Sequence, residues 1–424
     1  MVSKTLRVPL KALMVVDPFY PCPQSSSQRI HSFAQAFSRK GFRVAVIAGT
    51  CCRGIMRAAR SSEKSYTVYD LRCPGFLLSL SSVTINPLLV ILYGFFSAII
   101  ATKERPDVVF ASVPNGEVAI AGFFVSKIFR IPFAVDMRDL FPFPSAREII
   151  NVPISPAMSK LLTYIFHFLY RNSEAVTCVY PRIKKELVTA GVPADRISVI
   201  PNGADTSIYR QSSSQKRREI RLKYGLPLDK LIFVYAGTLA SYYPTHDLIQ
   251  GFSKAYQKEK RAQLLFITFR GYEHYKRMAE ELELGDAVRF MGPLSVVETA
   301  GILSACDVGL IPFSGDDRFL TDMYGAKIFS YMACGLPILA SGPPGGLIED
   351  FAHEFQTGFF VGKPSANSFA RGYFFFFKNK EGLEMMGKNA RKLVEEHYDR
   401  KRIGMQLASL LHSLSEKERH GHRL

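Results

Sequence analysis

Positions 322 to 340 read Asp322-Met-Tyr-Gly-Ala-Lys327-Ile-Phe-Ser330-Tyr-Met-Ala-Cys-Gly335-Leu-Pro337-Ile-Leu-Ala340. From 326 to 334, Ile328, Tyr331 and Met332 recur at helical spacing, and Gly335 and Pro337 stop the helix before an apolar run. Lys327 then falls in the first turn, where a cation opposes the helix dipole. A bound anion removes that conflict, because lysine and helix end would attract it together. A lysine solvated at the surface is the competing reading. Two other turns offer related chemistry. Ala236-Gly237-Thr238 follows the apolar run 231–235, and a glycine there lets backbone N–H groups approach a phosphate. Pro201-Asn202-Gly203-Ala204-Asp205 follows 197–200, although Asn-Gly is also an ordinary turn dipeptide.

Each of these turns follows a short apolar run, so strands must present them. In the first half the runs 11–16, 43–48, 107–111, 132–137, 175–179 and 197–200 read as strands. In the second half 231–235, 263–269, 287–290, 307–311, 337–340 and 358–361 do the same. Between them lie helical patterns such as 29–39, 246–259, 275–282 and 296–305. Strands buried on both faces and separated by helices imply parallel sheets with crossovers. Two doubly wound domains in tandem follow, and in such sheets ligands bind beyond the carboxyl ends of the strands. The polar stretch 205–228, with Ser212-Ser-Ser-Gln-Lys-Arg-Arg218, reads as a loop-like linker. The expected domains are 1–205 and 206–395, with a final helix over 396–424.

The 424 residues carry 54 Lys and Arg against 37 Asp and Glu, a net charge of +17. With 47% hydrophobic and 21% charged residues, disorder, a collagen-like fibre and a small disulfide scaffold are excluded. Nine of the seventeen net charges come from 210–223 and 400–424, outside the candidate turns. Such runs are usually solvated, with an anionic membrane surface as the alternative. No aromatic or recognition-helix pattern supports nucleic acid as a partner. Seven cysteines without a CxxC pair or zinc-like spacing fit a reducing, cytoplasmic setting and no metal site. The apolar stretch 88–101 is 14 residues and about 21 Å as a helix, short of a hydrocarbon thickness of about 30 Å. It is expected either to touch lipid together with 76–80 or to pack beneath the first sheet. Tyr373 and the four phenylalanines after it read as core.

Taken in order, Phe233-Val-Tyr-Ala-Gly-Thr-Leu239, Pro201-Asn-Gly-Ala-Asp205 and Lys327-Ile-Phe-Ser-Tyr-Met-Ala-Cys-Gly-Leu-Pro-Ile338 resemble the glycosyltransferases of family 4, which have the GT-B fold. Val135-Asp-Met-Arg138-Asp139-Leu-Phe-Pro142 looks like the RD-x-x-P segment of the branch that builds bacterial surface polysaccharides. Val16-Asp-Pro-Phe-Tyr-Pro-Cys-Pro23 matches the family's opening, so the likeness covers nearly the whole chain.

The resemblance implies two Rossmann-like domains facing a central cleft. It implies a retaining transfer of a sugar from a nucleotide diphosphate donor to a glycan or lipid-linked acceptor, with no further cofactor. Lys327, Arg138 and Asp139 would be catalytic; Gly237, Thr238, Asn202, Gly203, Arg270, Gly271, Asp322 and Ser330 would hold the donor. Positive groups and N–H donors at the departing diphosphate stabilise the transition state. Thr238 stands where many members carry arginine, Asp322 and Ser330 where they carry two glutamates, and Arg138 where many carry histidine. Pro23-Gln-Ser-Ser-Ser27 replaces the usual glycine-rich loop. A second reading is a catalytically weak GT-B protein that scaffolds a partner glycosyltransferase at the membrane. A nucleotide-sugar epimerase is a third, whose expected histidine and acidic pairs are not evident. The enzyme reading places the protein in the cytoplasm, at the inner face of the membrane.

Overall fold

Apolar runs buried on both sides need helices over both sides, and the chain alternates the two throughout. A computed structural model describes residues 9–17, 19, 25–49, 66–71, 85–139, 155–239, 243–268, 271–314, 321 and 323–421. The chain forms two compact units, Met1–Pro201 with Lys401–Leu424, and Asn202–Arg400.

In the first unit β1 (Lys11–Val16), α1 (Ser25–Arg39), β2 (Arg43–Ala48) and β3 (Tyr66–Asp70) come first. They are followed by α2 (Pro87–Glu104), β4 (Val108–Val113), α3 (Gly116–Ile128), β5 (Phe133–Met137) and α4 (Pro156–Arg171). The remaining elements are β6 (Ala175–Cys178), α5 (Pro181–Thr189) and β7 (Ile197–Val199). The sheet is parallel in the order β3-β2-β1-β4-β5-β6-β7. The chain runs one way from β1 to β3 and the other way from β4 to β7, so right-handed crossovers put α1 on one face and α2, α3 and α4 on the other. The β3 strand was not expected: Tyr66-Thr-Val-Tyr-Asp70 is an edge segment of which none is fully buried, so it lacks the continuous apolar run of its neighbours.

In the second unit the order is α6 (Ser214–Lys223), β8 (Leu231–Ala236), α7 (Thr245–Tyr256), β9 (Ala262–Ile267), α8 (Glu273–Glu281) and β10 (Val288–Met291). Then come α9 (Val296–Ala305), β11 (Val308–Pro312), α10 (Lys327–Ala333), β12 (Ile338–Ser341) and α11 (Leu347–His353). The unit ends with β13 (Gly358–Phe360), α12 (Ala366–Lys378) and α13 (Lys380–Leu393). Its sheet is parallel in the order β10-β9-β8-β11-β12-β13. Tyr373 and Phe376 of α12 are wholly buried against Phe233 and Phe252, with the Phe233–Tyr373 ring centres 4.7 Å apart.

The stretch read as a loop-like linker instead contains α6. Ser213 accepts the Lys216 N–H at its N-terminus, while Arg217 and Arg221 bind Asp307 at 2.5 and 2.8 Å. The buried Arg221 also donates to the carbonyls of Ala305, Pro227 and Lys230. Tertiary ion pairs hold a helix that has almost no apolar stripe, which periodicity could not reveal. These arginines therefore belong to the fold of the second unit rather than to a solvated basic run.

The last helix, α14 (Arg400–Gly421), enters the core of the first unit through Ile403, Leu407, Ala408 and Leu411. A Cβ at Gly404 would stand 2.8 Å from Ala36 Cβ of α1, so this glycine sets how closely the two helices pack.

Candidate functional site

Each sheet reverses direction between two neighbouring strands, and side chains gather at both reversals. In the second unit the reversal lies between β8 and β11, where open α/β sheets place their ligands. Gly237 leaves β8 at φ 147°, and a Cβ there would come 3.4 Å from Lys327 Nζ. A larger residue would be strained in that conformation and would crowd the ammonium. Lys327, the first residue of α10, donates to Tyr235 Oη at 2.8 Å. Its Nζ lies 4.0 Å from the Tyr235 ring centre and 4.1 Å from that of Tyr243. The Tyr235 hydroxyl in turn donates a hydrogen bond to Thr238 O at 2.6 Å, which ties the lysine to the glycine loop. The side chain is thus held between two rings, not solvated at the surface.

Burial alone pushes the Lys327 ammonium down to about 7, with no charged group opposing it. Its neutral form is populated at neutral pH until an anion restores the charge. The ring cage is built from below. The Tyr331 hydroxyl accepts the Ala236 N–H at 2.7 Å, and a Cβ at Gly309 would meet the Tyr331 ring at 2.5 Å. The end of β8, the start of α10 and the Tyr243 ring are therefore held as one arrangement.

In the first unit the reversal lies between β1 and β4. Asp17 directly follows β1 and is 9% exposed, with Oδ1 making no hydrogen bond. Burial raises its carboxyl to about 6; the Tyr93 hydroxyl bond and Arg138 oppose the rise, and Glu117 adds to it. Gly49 after β2 makes room for this pair, since a Cβ would sit 2.1 Å from Tyr93 Oη and 2.9 Å from Asp17 Oδ2. Arg138 follows β5 and donates through Nε to Val113 O at 2.9 Å. Burial lowers its pKa, while Asp139 and Asp136 hold the charge in place.

The carboxylate of Asp136 is taken by Arg29, not by Arg138. Arg29 bonds it twice, at 3.1 and 2.9 Å, and also reaches the carbonyls of Ile200 and Pro201. Ser112 and Thr177 complete the shell of Asp136, whose pKa is lowered against the pull of burial. Among the described residues Arg138 makes no ion pair within 4.0 Å, and its charge helps hold the carboxyl pKa of Asp17 down against burial.

The sequence-based candidates are distributed unevenly. Lys327, Gly237 and Thr238 come together; Arg138 and the exposed Asp139 stand at the other reversal. Ser330 is hydrogen-bonded to the buried Tyr209. Asn202 and the buried Gly203 precede Ala204, which pairs with Asp399. Gly271 is exposed after β9 at φ 76°. Arg270 and Asp322 lie outside the described residues, as do 76–80. Sequence reasoning missed Tyr235, Tyr243, Tyr331, Asp17 and Tyr93. Asp17 was findable as a carboxylate directly after the first strand, and Tyr93 as a hydroxyl in an otherwise apolar helix.

Residues 26–208 match the family model described as Glycosyltransferase Family 4, and residues 216–393 match Glycosyl transferases group 1. The chain belongs to the family 4 glycosyltransferases of GT-B fold. A relative, the D-inositol 3-phosphate glycosyltransferase of Corynebacterium glutamicum (strain R), is 26% identical over 203 residues, 46% of this chain and 47% of the relative. The alpha-galactosylglucosyldiacylglycerol synthase of Streptococcus pneumoniae (strain ATCC BAA-255 / R6) is 24% identical over 185 residues, 42% and 46% of the two chains. The match thus spans about half the length of these curated relatives. The crystal structure of Anabaena HepE in complex with UDP and glucose superposes with a TM-score of 0.70 at 17% identity, covering 95% of this chain and all of that one. That likeness places this family 4 chain in the GT-B fold.

Proposed function

We propose that the protein is a retaining glycosyltransferase that moves a sugar from a nucleotide diphosphate sugar to a glycan or lipid-linked acceptor in the assembly of a polysaccharide or glycoconjugate. The observation that carries this reading is Lys327, set against Gly237 by two tyrosines at the reversal of the second sheet. The HepE complex with UDP and glucose, and the names of the glycosyltransferase and synthase relatives, support it.

As the glycosidic bond breaks, negative charge grows on the departing diphosphate. A lysine with a pKa near 7 takes up a proton as that anion binds and then opposes the growing charge from within a partly dehydrated site. Backbone N–H groups of the Gly237–Thr238 turn add donors without reorganisation. Lys327 and this turn carry the charge compensation in the reading, with no further cofactor. Arg138 and Asp139 serve the acceptor side in the first unit, and Asp17, whose carboxyl burial raises to about 6, suits a sugar hydroxyl. The site of action under this reading is the cytoplasmic face of a membrane.

Incubation with radiolabelled nucleotide sugars and a lipid-linked acceptor tests it. Transfer is expected, with UDP or GDP raising the melting temperature because each binds only the folded state. No transfer together with no thermal shift at millimolar nucleotide would favour the scaffolding reading.

A further inference from the structure

In α4 the inward face is formed by Leu162, Phe166 and Leu169, all buried. Its outward face is also apolar: Leu161, Tyr164 and Phe168 are 51%, 72% and 53% exposed. The same doubling occurs in α2. Leu89, Tyr93 and Ile100 face the protein, while Leu88, Ile91, Phe95 and Ile99 follow one another along the opposite side. Phe124 and the 70%-exposed Ile128 continue the surface on α3, which packs on α2. Phe123 of α3 meets Phe168 of α4 with ring centres 6.0 Å apart, so the three helices form one face. A helix on a water-exposed domain normally turns polar residues outward. Eleven of the eighteen large hydrophobic residues exposed among the described residues lie on these three helices, a concentration that water alone does not explain.

Charge identifies the occupant. The last turns of the three helices carry Lys103, Lys127 and Arg171, and Arg130 follows α3. Because all three helices run antiparallel to one parallel sheet, these cations line the same edge of the face. Lys127 pairs with Glu174, but Lys103 and Arg130 make no ion pair among the described residues. An apolar face with a cationic border fits a bilayer with anionic headgroups. The helix α2 is not a span, although its 18 residues have a mean hydropathy of 1.4. Its inward side chains are packed on α3 and the sheet, and crossing would strip them from the core.

We infer that α2, α3 and α4 form a docking surface for an anionic lipid bilayer. The helix that would lie in the headgroup region also sends Tyr93 inward to Asp17. Docking of this face would hold a lipid-borne acceptor close to the first unit. This last step rests on the proposed transfer reaction, whereas docking itself does not.

The test is flotation of the full chain with phosphatidylcholine vesicles, with and without about one-third phosphatidylglycerol. Binding is expected to the anionic vesicles and to weaken as salt rises from about 0.05 to about 0.5 M. The double substitution Ile91→Glu and Phe95→Glu should lower it about tenfold. Met385→Glu, at a 63%-exposed position of the second unit, should leave it unchanged. Both substitutions lie on the surface, so the thermal midpoint and the nucleotide-induced shift should be kept. Equal flotation of the double variant, or none by the parent chain, overturns the inference. So does a dimer of the parent chain that the double substitution dissolves, which would make the face a protein interface. Flotation is read without donor, so its failure is distinct from a failure to transfer sugar.

Discussion

The two units use the same sheet reversal for opposite electrostatic purposes. At the reversal of the second, a lysine is buried between rings with no charged partner, and it is poised to receive an anion. At that of the first, Asp17 is buried beside Arg138 and Tyr93 and is held close to half-protonated near pH 6. Desolvation acts in both, lowering the lysine and raising the acid, so each group approaches neutrality before a ligand arrives. The fold supplies the crevice; the sign of the residue placed there decides what it can accept.

The largest expected effect tests whether the first unit's reversal is rigidly built. Arg29→Met would strand Asp136, which is wholly buried, and should cost about 3–5 kcal/mol of stability, read by chemical denaturation. A loss below about 1 kcal/mol would show that Asp136 finds other partners.

Next comes the lysine itself. Lys327→Ala should reduce transfer by about 10²–10³, mainly in kcat, with the thermal midpoint retained. Undiminished transfer would remove Lys327 from the chemistry and leave the two reversals without a functional contrast.

Asp17→Asn probes the opposite sign. The native carboxyl holds its proton up to about pH 6, above the ordinary value of 3.8, so between those limits the folded state binds more protons and stability falls as pH rises. The variant should lose that slope and be more stable than the parent at pH 7 by about 1–3 kcal/mol. Melting curves from pH 4 to about pH 7 would show it; parallel curves would mean Asp17 is not desolvated in solution.

The smallest effect is expected for Tyr235→Phe, which keeps the ring beneath Lys327 but removes two hydrogen bonds. About 1 kcal/mol, or several-fold in kcat/KM, should be lost, and the alkaline limb of the pH profile should move. An unmoved limb would place the tyrosine hydroxyl outside the control of Lys327.

Much of this was legible before any coordinates. Apolar runs of strand length with helices between them gave two parallel sheets, and glycine after β8 with lysine after β11 gave the donor-side candidates. What was not legible has common causes. The helix α6 is held by Asp307, roughly 90 residues away in the chain. The hydrogen bond between Ser330 and the buried Tyr209 joins residues 121 positions apart. Arg138 and Asp136 are two residues apart, but the ion pair formed is with Arg29, 107 positions off. The apolar segment 88–101 left two readings open, and the structure shows how both faces are apolar at once, one packed and one bare.

The sequence by itself determined the alternation of strand and helix, the tandem arrangement and the residue types at the strand ends, because these follow from local periodicity and turn chemistry. Only the tertiary structure decided which charges were paired, which were dehydrated and which apolar side chains remained outside. Those outcomes depend on contacts between segments far apart in the chain, and burial, which sets the protonation of Asp17 and Lys327, is a property of the packed neighbourhood rather than of the residue.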